Sequence, residues 1–422
     1  MLYLCSSCTT HGRPKTQWIT IDQNRNMIII RLIPFLFACL LLTNCKNKDE
    51  SYKAQIEEVL QDSVLVRANK FLKLTPVTIT SFASPRSSGG IHDFFSEGDY
   101  WWPDTLNLDG PYIQRDGLSN PDNFTEHREA LIGLSEIVGN LTSAYIITKD
   151  TTYANAAIKH CNAWFIDEST RMNPHFLYAQ AIKGRHTGRG IGIIDGIHFM
   201  EVVQSLSVLG KEGLIDKNSE TQFKKWFSDF VVWLTAHKYG KDEMKHPNNH
   251  GTCWNMQVAL YADYTNKENI LAMCRDNYKN TLLPNQMAPD GSFPLELKRT
   301  KPYGYSLFNL DAMVMNCLIL SNKATNLWDY STQDGKSISL ALEFMAPYIE
   351  NKNNWFKEPD VMYWEEWPVA HPSSLFGAIV FDRPDFFEQW KINEHTPEVF
   401  EVKRNLPIRN PLIWLDRLEA GK

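Results

Sequence analysis

The chain reads as all-α: helical hairpins closed into an incomplete barrel, an α/α toroid, with long loops on one rim. Three observations predict this. From about residue 125 apolar residues recur at spacings of three and four, the helical period. Connections between successive segments are mostly short, so neighbouring helices should pack antiparallel. No motif of fixed length repeats, which weighs against an open solenoid. The long interruptions at 167–190, 239–252 and 283–304 are polar and aromatic, as loops on the rim of a ring would be.

The N-terminus comes first. Residues 1–26 are polar and resemble no folded element; Met27-Ile-Ile-Ile-Arg31 then opens an apolar run, Leu32 to Leu42, that ends in Thr43-Asn44-Cys45. A short basic start and an apolar stretch of secretory length make an export signal, too short to span a bilayer as a stable helix. The closing Cys looks like a bacterial lipobox, although Asn44 departs from the usual small residue before it. Translation from Met27 and lipidation of Cys45 are expected. The boundaries that follow are 1–45 for leader and signal peptide, 46–54 for a charged tether, and 55–422 for a single domain. Such a chain is an exported bacterial lipoprotein, periplasmic or at the outer membrane or cell surface. It would touch membrane only through its lipid anchor.

Beyond the tether, residues 51–80 show a helical period in Ile56, Val59, Leu60, Val64 and Ala68. Residues 81–124 are rich in Gly, Pro and Asp and read as loops around the aromatic Asp99-Tyr100-Trp101-Trp102-Pro103. Leu131, Leu134, Ile137, Leu141 and Tyr145 mark the next helix, and Tyr153 to Phe165 its partner. Further helical segments fall near 195–210, 218–238, 253–264, 267–282, 305–322 and 336–349. One strand-like run, Ala378-Ile379-Val380-Phe381, stands alone.

Composition narrows the function. Hydrophobic residues at 43% and charged residues at 22% are ordinary for a chain with a sizeable core. The thirteen Trp, sixteen Tyr and twenty-two Phe serve either a large core or flat faces on which sugar rings stack. A net charge of −6 argues against a nucleic-acid partner, and a polyanion-binding cleft would have to gather its cations locally. Cys161, Cys253, Cys274 and Cys317 match neither a metal motif nor a disulfide scaffold and read as buried thiols.

Two stretches carry chemistry. In Lys245-His246-Pro247-Asn248-Asn249-His250-Gly251 the two His are four apart, but Pro247 breaks the helix that a zinc site would need, and no Glu follows His246. The segment is a helix entry, serving either as a plain cap or as a rim presenting amide and imidazole groups. The second stretch runs from Ala288-Pro289-Asp290-Gly291 through Glu296 to Lys298-Arg299-Thr300-Lys301-Pro302-Tyr303-Gly304-Tyr305. Here cations and tyrosines share a loop whose side chains can converge on a cleft. Asn249, His250, Arg299 and Tyr305 are the residue types that abstraction of a proton next to a carboxylate demands. Donors must neutralise the carboxylate so that the enediolate can form, a base must take the proton, and an acid must protonate the leaving oxygen. No cofactor or metal is called for. The obvious carboxylate pair for a hydrolase is Asp290 and Glu296, with Asp290 also reading as a turn residue in Pro-Asp-Gly.

The Asn-Asn-His ahead of a Trp-containing helix, with an Arg and a Tyr about fifty residues on, resembles the alginate lyase superfamily of α/α-toroid lyases. The strings at 89–103, 184–195, 290–296 and 361–368 are more similar still to polysaccharide lyase family 38, and the resemblance spans roughly residues 80–375. It implies β-elimination on a 1,4-linked uronic-acid polymer, alginate of mannuronate type or glucuronan. Asn249 and Arg299 would neutralise the carboxylate, and Tyr305 would be the acid and, for syn elimination, also the base. His250 would be the base for anti elimination, or a further partner of the carboxylate. Tyr303 competes with Tyr305 for the tyrosine role, with Tyr305 preferred because it opens the following helix. Arg185, His186, Arg189, Tyr178, Gln180, Asn248, Tyr303 and Trp102 are candidates for binding an anionic polysaccharide. The alternatives are a toroidal glycoside hydrolase acting on uronic-acid oligosaccharides, or a glycan-binding lipoprotein without activity.

Overall fold

A computed structural model describes residues 52–420; the leader, Cys45 and the tether up to residue 51 lie outside the described residues. Helix α1 occupies 52–71, so the last positions assigned to the tether are already helical. Its buried face is Ile56, Leu60, Val64 and Ala68, four apart throughout. Beyond residue 71 the expected helix gives way to an irregular segment with a short 3-10 turn, Ile79–Ser81.

The helices that follow fall into two sets. One set packs side by side: α2 (Glu126–Thr148), α4 (Phe199–Lys211), α7 (Asn249–Tyr264), α10 (Pro302–Leu320) and α12 (Pro372–Phe381), each touching the next. Partners pack against these: α3 (Thr151–Phe165) on α2, α5 (Lys217–Ala236) and α8 (Glu268–Asn277) on α7, α11 (Ile338–Glu350) on α10, and α13 (Pro384–Ile392) on α12. The inner set is enclosed on nearly all sides, and every residue of α10 is buried. In α7 and α10 the amphipathicity is correspondingly weak, because almost no face meets water. This is the succession of helical hairpins expected of the toroid.

Ala378–Phe381 is a correction. The segment belongs to α12, closed by Asp382 in the left-handed conformation (φ 53°), whose N–H bonds Ala378 O. A fully buried helix and a buried strand both read as unbroken apolar runs, so periodicity cannot separate them. The interruption at 239–252 holds a short helix, α6 (Lys238–Met244), and that at 283–304 opens with another, α9 (Leu283–Gln286). A 3-10 stretch, Gly190–His198, leads into α4.

Two small ladders lie between the helices. β1 (Phe95–Glu97) pairs in parallel with β4 (Tyr178–Ala181), and β2 (Trp101–Trp102) pairs antiparallel with β3 (Ile113–Gln114). The end of the chain carries α14 (Phe400–Arg404), a 3-10 turn at Pro411–Trp414 and α15 (Asp416–Ala420). The 3-10 turn packs on α2 and α4 while α15 touches α10, so this segment bridges the inner helices. Glu201 of α4 fixes it by accepting from the Arg409 and Asn410 N–H groups at 2.8 and 2.6 Å. Cys161, Cys253, Cys274 and Cys317 are buried free thiols.

Candidate active site

A cavity of about 390 Å³ opens among the loops and helix ends. Asn249, His250, Arg299 and Tyr305 all line it, as do Asn248, Gln180 and Arg189. The two chemistry-bearing stretches meet because α7 and α10 pack together and each begins at the cavity.

The start of α7 is held by Glu296. Asn249 donates its backbone N–H to Oε1 (2.8 Å) and its side-chain amide to Oε2 (2.9 Å) of this buried carboxyl. Burial pushes Glu296 above the ordinary range against the opposing pull of Asn249, Arg299 and His250. The Asn249 amide is thereby locked with its remaining N–H unbound. Asn248 is the N-cap residue, yet its side chain caps nothing, and its Oδ1 is buried without a partner. The plain-cap reading of this segment therefore fails for Asn248.

His250 is oriented from below. Its Nδ1 lies 2.6 Å from Oε1 of Glu243, a fully buried residue of α6. A carboxylate oxygen accepts, so the proton is assigned to Nδ1 and the Nε2 lone pair is left unbound.

Arg299 and Tyr305 form a second unit. The guanidinium lies over the phenol ring at 4.2 Å and donates to Tyr305 Oη at 3.2 Å. Asp116 anchors it through Nε (3.3 Å) and a terminal nitrogen (2.8 Å). Burial would raise the Asp116 carboxyl, but the hydrogen bond and charge of Arg299 outweigh it and hold it below the ordinary value. Tyr305 Oη also lies 2.6 Å from Tyr100 Oη, which Arg404 of α14 approaches at 3.4 Å. Burial and the neighbouring Tyr100 push the Tyr305 phenol well above its usual pKa while Arg299 pulls the other way. The hydroxyl is a proton donor in the empty cavity.

Beneath these groups is an ionic floor. Arg128 reaches Asp99 at 2.6 Å and Asp195 at 3.3 Å, and Arg404 pairs with Asp99 and with Glu401. Burial opposes ionisation of Asp99, but Arg128 and Arg404 win and hold it low. Gln180 donates to Asp195 Oδ1 at 3.2 Å from a backbone with φ 49°, a conformation a non-glycine residue adopts only where its surroundings impose it.

The remaining candidates lie elsewhere. Tyr303 is fully buried, its hydroxyl donates to Tyr348 O at 3.0 Å, and it faces Trp355 and Trp364 rather than the cavity. Trp102 lies outside the cavity with its indole N–H on Leu118 O, whereas its neighbour Trp101 lines it. Tyr178 is not among the lining residues, and Arg185 and His186 line a separate hollow. Asp290 is a turn residue that accepts from Ser292, and neither it nor Glu296 lines the cavity. Among the described residues no cluster of three or more His, Cys, Asp or Glu could hold a metal ion.

Sequence reasoning missed Tyr100, Asp116, Glu243, His198, Arg404 and Asn405. Glu243 had a signal, since it precedes His250 by seven residues, two helical turns, but Pro247 obscured the relation. Arg404 and Asn405 had none.

A family profile described as alginate lyase matches residues 78–355. Among solved structures, an alginate lyase from Bacteroides ovatus is 30% identical and gives a TM-score of 0.73, covering 86% of this chain and 97% of its own. Alginate lyase A1-III from Sphingomonas species A1 is 14% identical with a TM-score of 0.53, covering 83% of this chain and 94% of its own. A variant of A1-III complexed with a tetrasaccharide also gives 14%, with a TM-score of 0.51 over 83% of this chain and 93% of its own. At that identity the likeness is one of fold. A search of curated proteins finds no match.

Proposed function

The chain belongs to the alginate lyase family, and from that premise we propose that it cleaves a 1,4-linked uronic-acid polymer, mannuronate-type alginate or glucuronan, by β-elimination. The observation that carries the reading is the convergence of Asn249, His250, Arg299 and Tyr305 on one cavity. The unbound N–H of Asn249 and the guanidinium of Arg299 take the substrate carboxylate and stabilise the enediolate as H5 leaves. Tyr305 delivers a proton to O4. The C4–O4 bond breaks, and the electrons left by H5 become the C4–C5 double bond. In D-mannuronate and D-glucuronate H5 and O4 lie on one face, so Tyr305 serves both steps: entering as the phenolate, which Arg299 favours, it takes H5 and hands that same proton to O4. In L-guluronate they lie on opposite faces, and Nε2 of His250 takes H5.

A hydrolase is disfavoured by its own carboxylates. Both oxygens of Glu296 accept from Asn249, and Asp290 is committed to its turn. The test is ultraviolet absorbance during separate incubations with polymannuronate, polyguluronate and glucuronan. A rise establishes an unsaturated uronate, and the responding polymer names the substrate. New reducing ends without a rise would instead establish hydrolysis.

We also propose that the chain is exported and held at a membrane by a lipid on Cys45, on the strength of the apolar run and the Cys that ends it. Fatty-acid labelling should mark the wild-type chain and be lost in Cys45→Ala. Label retained in the variant, or absent from both, would sink the proposal.

A further inference from the structure

Behind the β1–β4 ladder lies a second hollow of about 440 Å³. Successive residues of a strand face opposite sides, and accordingly Gln180 lines the first cavity while Ala181 lines the second. Its floor is apolar, made by Phe95, Ala181 and Ile182. Its rim is basic, carrying Arg86, Lys183, Arg185 and His186.

The one acid there, Glu97, is already satisfied. It accepts from Arg86 at 2.5 Å and from the Phe124 N–H at 2.8 Å. Among the described residues Lys183 and Arg185, both exposed, have no carboxylate partner. The Lys183 ammonium lies over the Tyr112 ring at 5.6 Å, and Arg185 Nε donates to Tyr112 O at 2.7 Å. The hollow thus keeps two permanent positive charges on a chain whose net charge is −6.

The backbone that carries these charges is fixed in place. The N–H groups of Arg185 and His186 both bond Ile182 O, and the Tyr112 N–H bonds Lys183 O. Gly184, between the two cations, has φ +75°, and a Cβ there would come within 2.9 Å of Pro111 Cα. This turn needs glycine and sets the backbone from which Lys183 and Arg185 project. Trp101 links the two hollows, with Arg189 of the first at 5.8 Å from its ring and Arg185 of the second at 5.3 Å.

We propose that this second hollow is a remote subsite, taking the carboxylate of a uronate residue beyond those held at the cleavage point. An apolar floor with a few charged groups is the usual make-up of a ligand-sized site, and cations carried on a pre-set turn bind at a reduced ordering cost. The proposal rests on the reading of the first cavity as a uronate site. Its consequence is a preference for longer chains.

The test compares initial β-elimination rates on long polymer and on the shortest oligomer that the wild type cleaves. Lys183→Glu should raise KM for the polymer about fivefold to tenfold. It should leave kcat and both constants for the short oligomer unchanged, and Lys183→Arg should behave as wild type. Equal changes on both substrates, or none on either, would overturn the remote subsite alone. A wild-type protein that yields no unsaturated product from any uronate polymer would overturn the reading of the first cavity, and this one with it.

Discussion

Two tyrosines separated by one glycine have opposite surroundings, and only one of the two hydroxyls meets the cavity. Tyr305 meets Arg299, Tyr100 and the cavity, whereas the Tyr303 hydroxyl is spent on a backbone carbonyl. Tyr305→Phe should lower kcat by about 10²–10⁴ while the polymer still binds. Tyr303→Phe should leave kcat unchanged and cost about 1 kcal/mol of stability. Steady-state kinetics and denaturant titration on the two variants check this, and a dead Tyr303→Phe would reverse the assignment. The four residues that meet at the cavity were legible as a group because each stretch is local: Asn249 beside His250, and Arg299 six residues before Tyr305. Their partners were not. Asp116 reaches Arg299 across 183 positions and Tyr100 reaches Tyr305 across 205, and nothing in the chain near either end announces the pairing.

Among the elements, α10 was placed to within a few residues, but its cap was not foreseen. No side chain near its start caps it. Asp360, 57 residues downstream, instead accepts from the N–H groups of Tyr303 and Gly304 at 2.9 and 2.8 Å. Those are orphan donors of a first helical turn, satisfied from a distant loop. Burial raises the Asp360 carboxyl to about 6 despite the two N–H groups. An acid raised on folding holds its proton more tightly in the native state, so ionisation favours the unfolded chain. The stability this adds is full below the unfolded carboxyl's value, about 4, and is lost as pH rises through about 6. The thermal midpoint of wild type relative to Asp360→Asn, neutral at every pH, should fall across that window and level off above it. A difference flat with pH would show that Asp360 ionises alike in both states. Helices with one wet face were read from their period, as α1 was over 52–71, although the expected helix ran on to residue 80. Buried α12 was not, because a helix with no wet face has no period to read.

Across the whole molecule, the inner helices α2, α4, α7, α10 and α12 follow one another, and the final segment spans from α2 and α4 to α10. Trp414 is fully buried in that seam. Trp414→Ala should cost about 3–5 kcal/mol, read as a lowered denaturant midpoint; a loss under about 1 kcal/mol would mean the seam closes without it. The toroid itself was legible from short connections and the absence of a repeat. Its seam was not, since 400–420 is a string of short helices and turns whose place is set only by the surfaces it covers. The same segment gives the cavity Arg404, which meets Tyr100 across 304 positions of chain. A ribosome must therefore pass nearly the whole message before the residues of the cavity exist together. A nascent chain, or one stopped short of residue 404, has the Asn, His, Arg and Tyr of the chemistry but lacks the cation behind them.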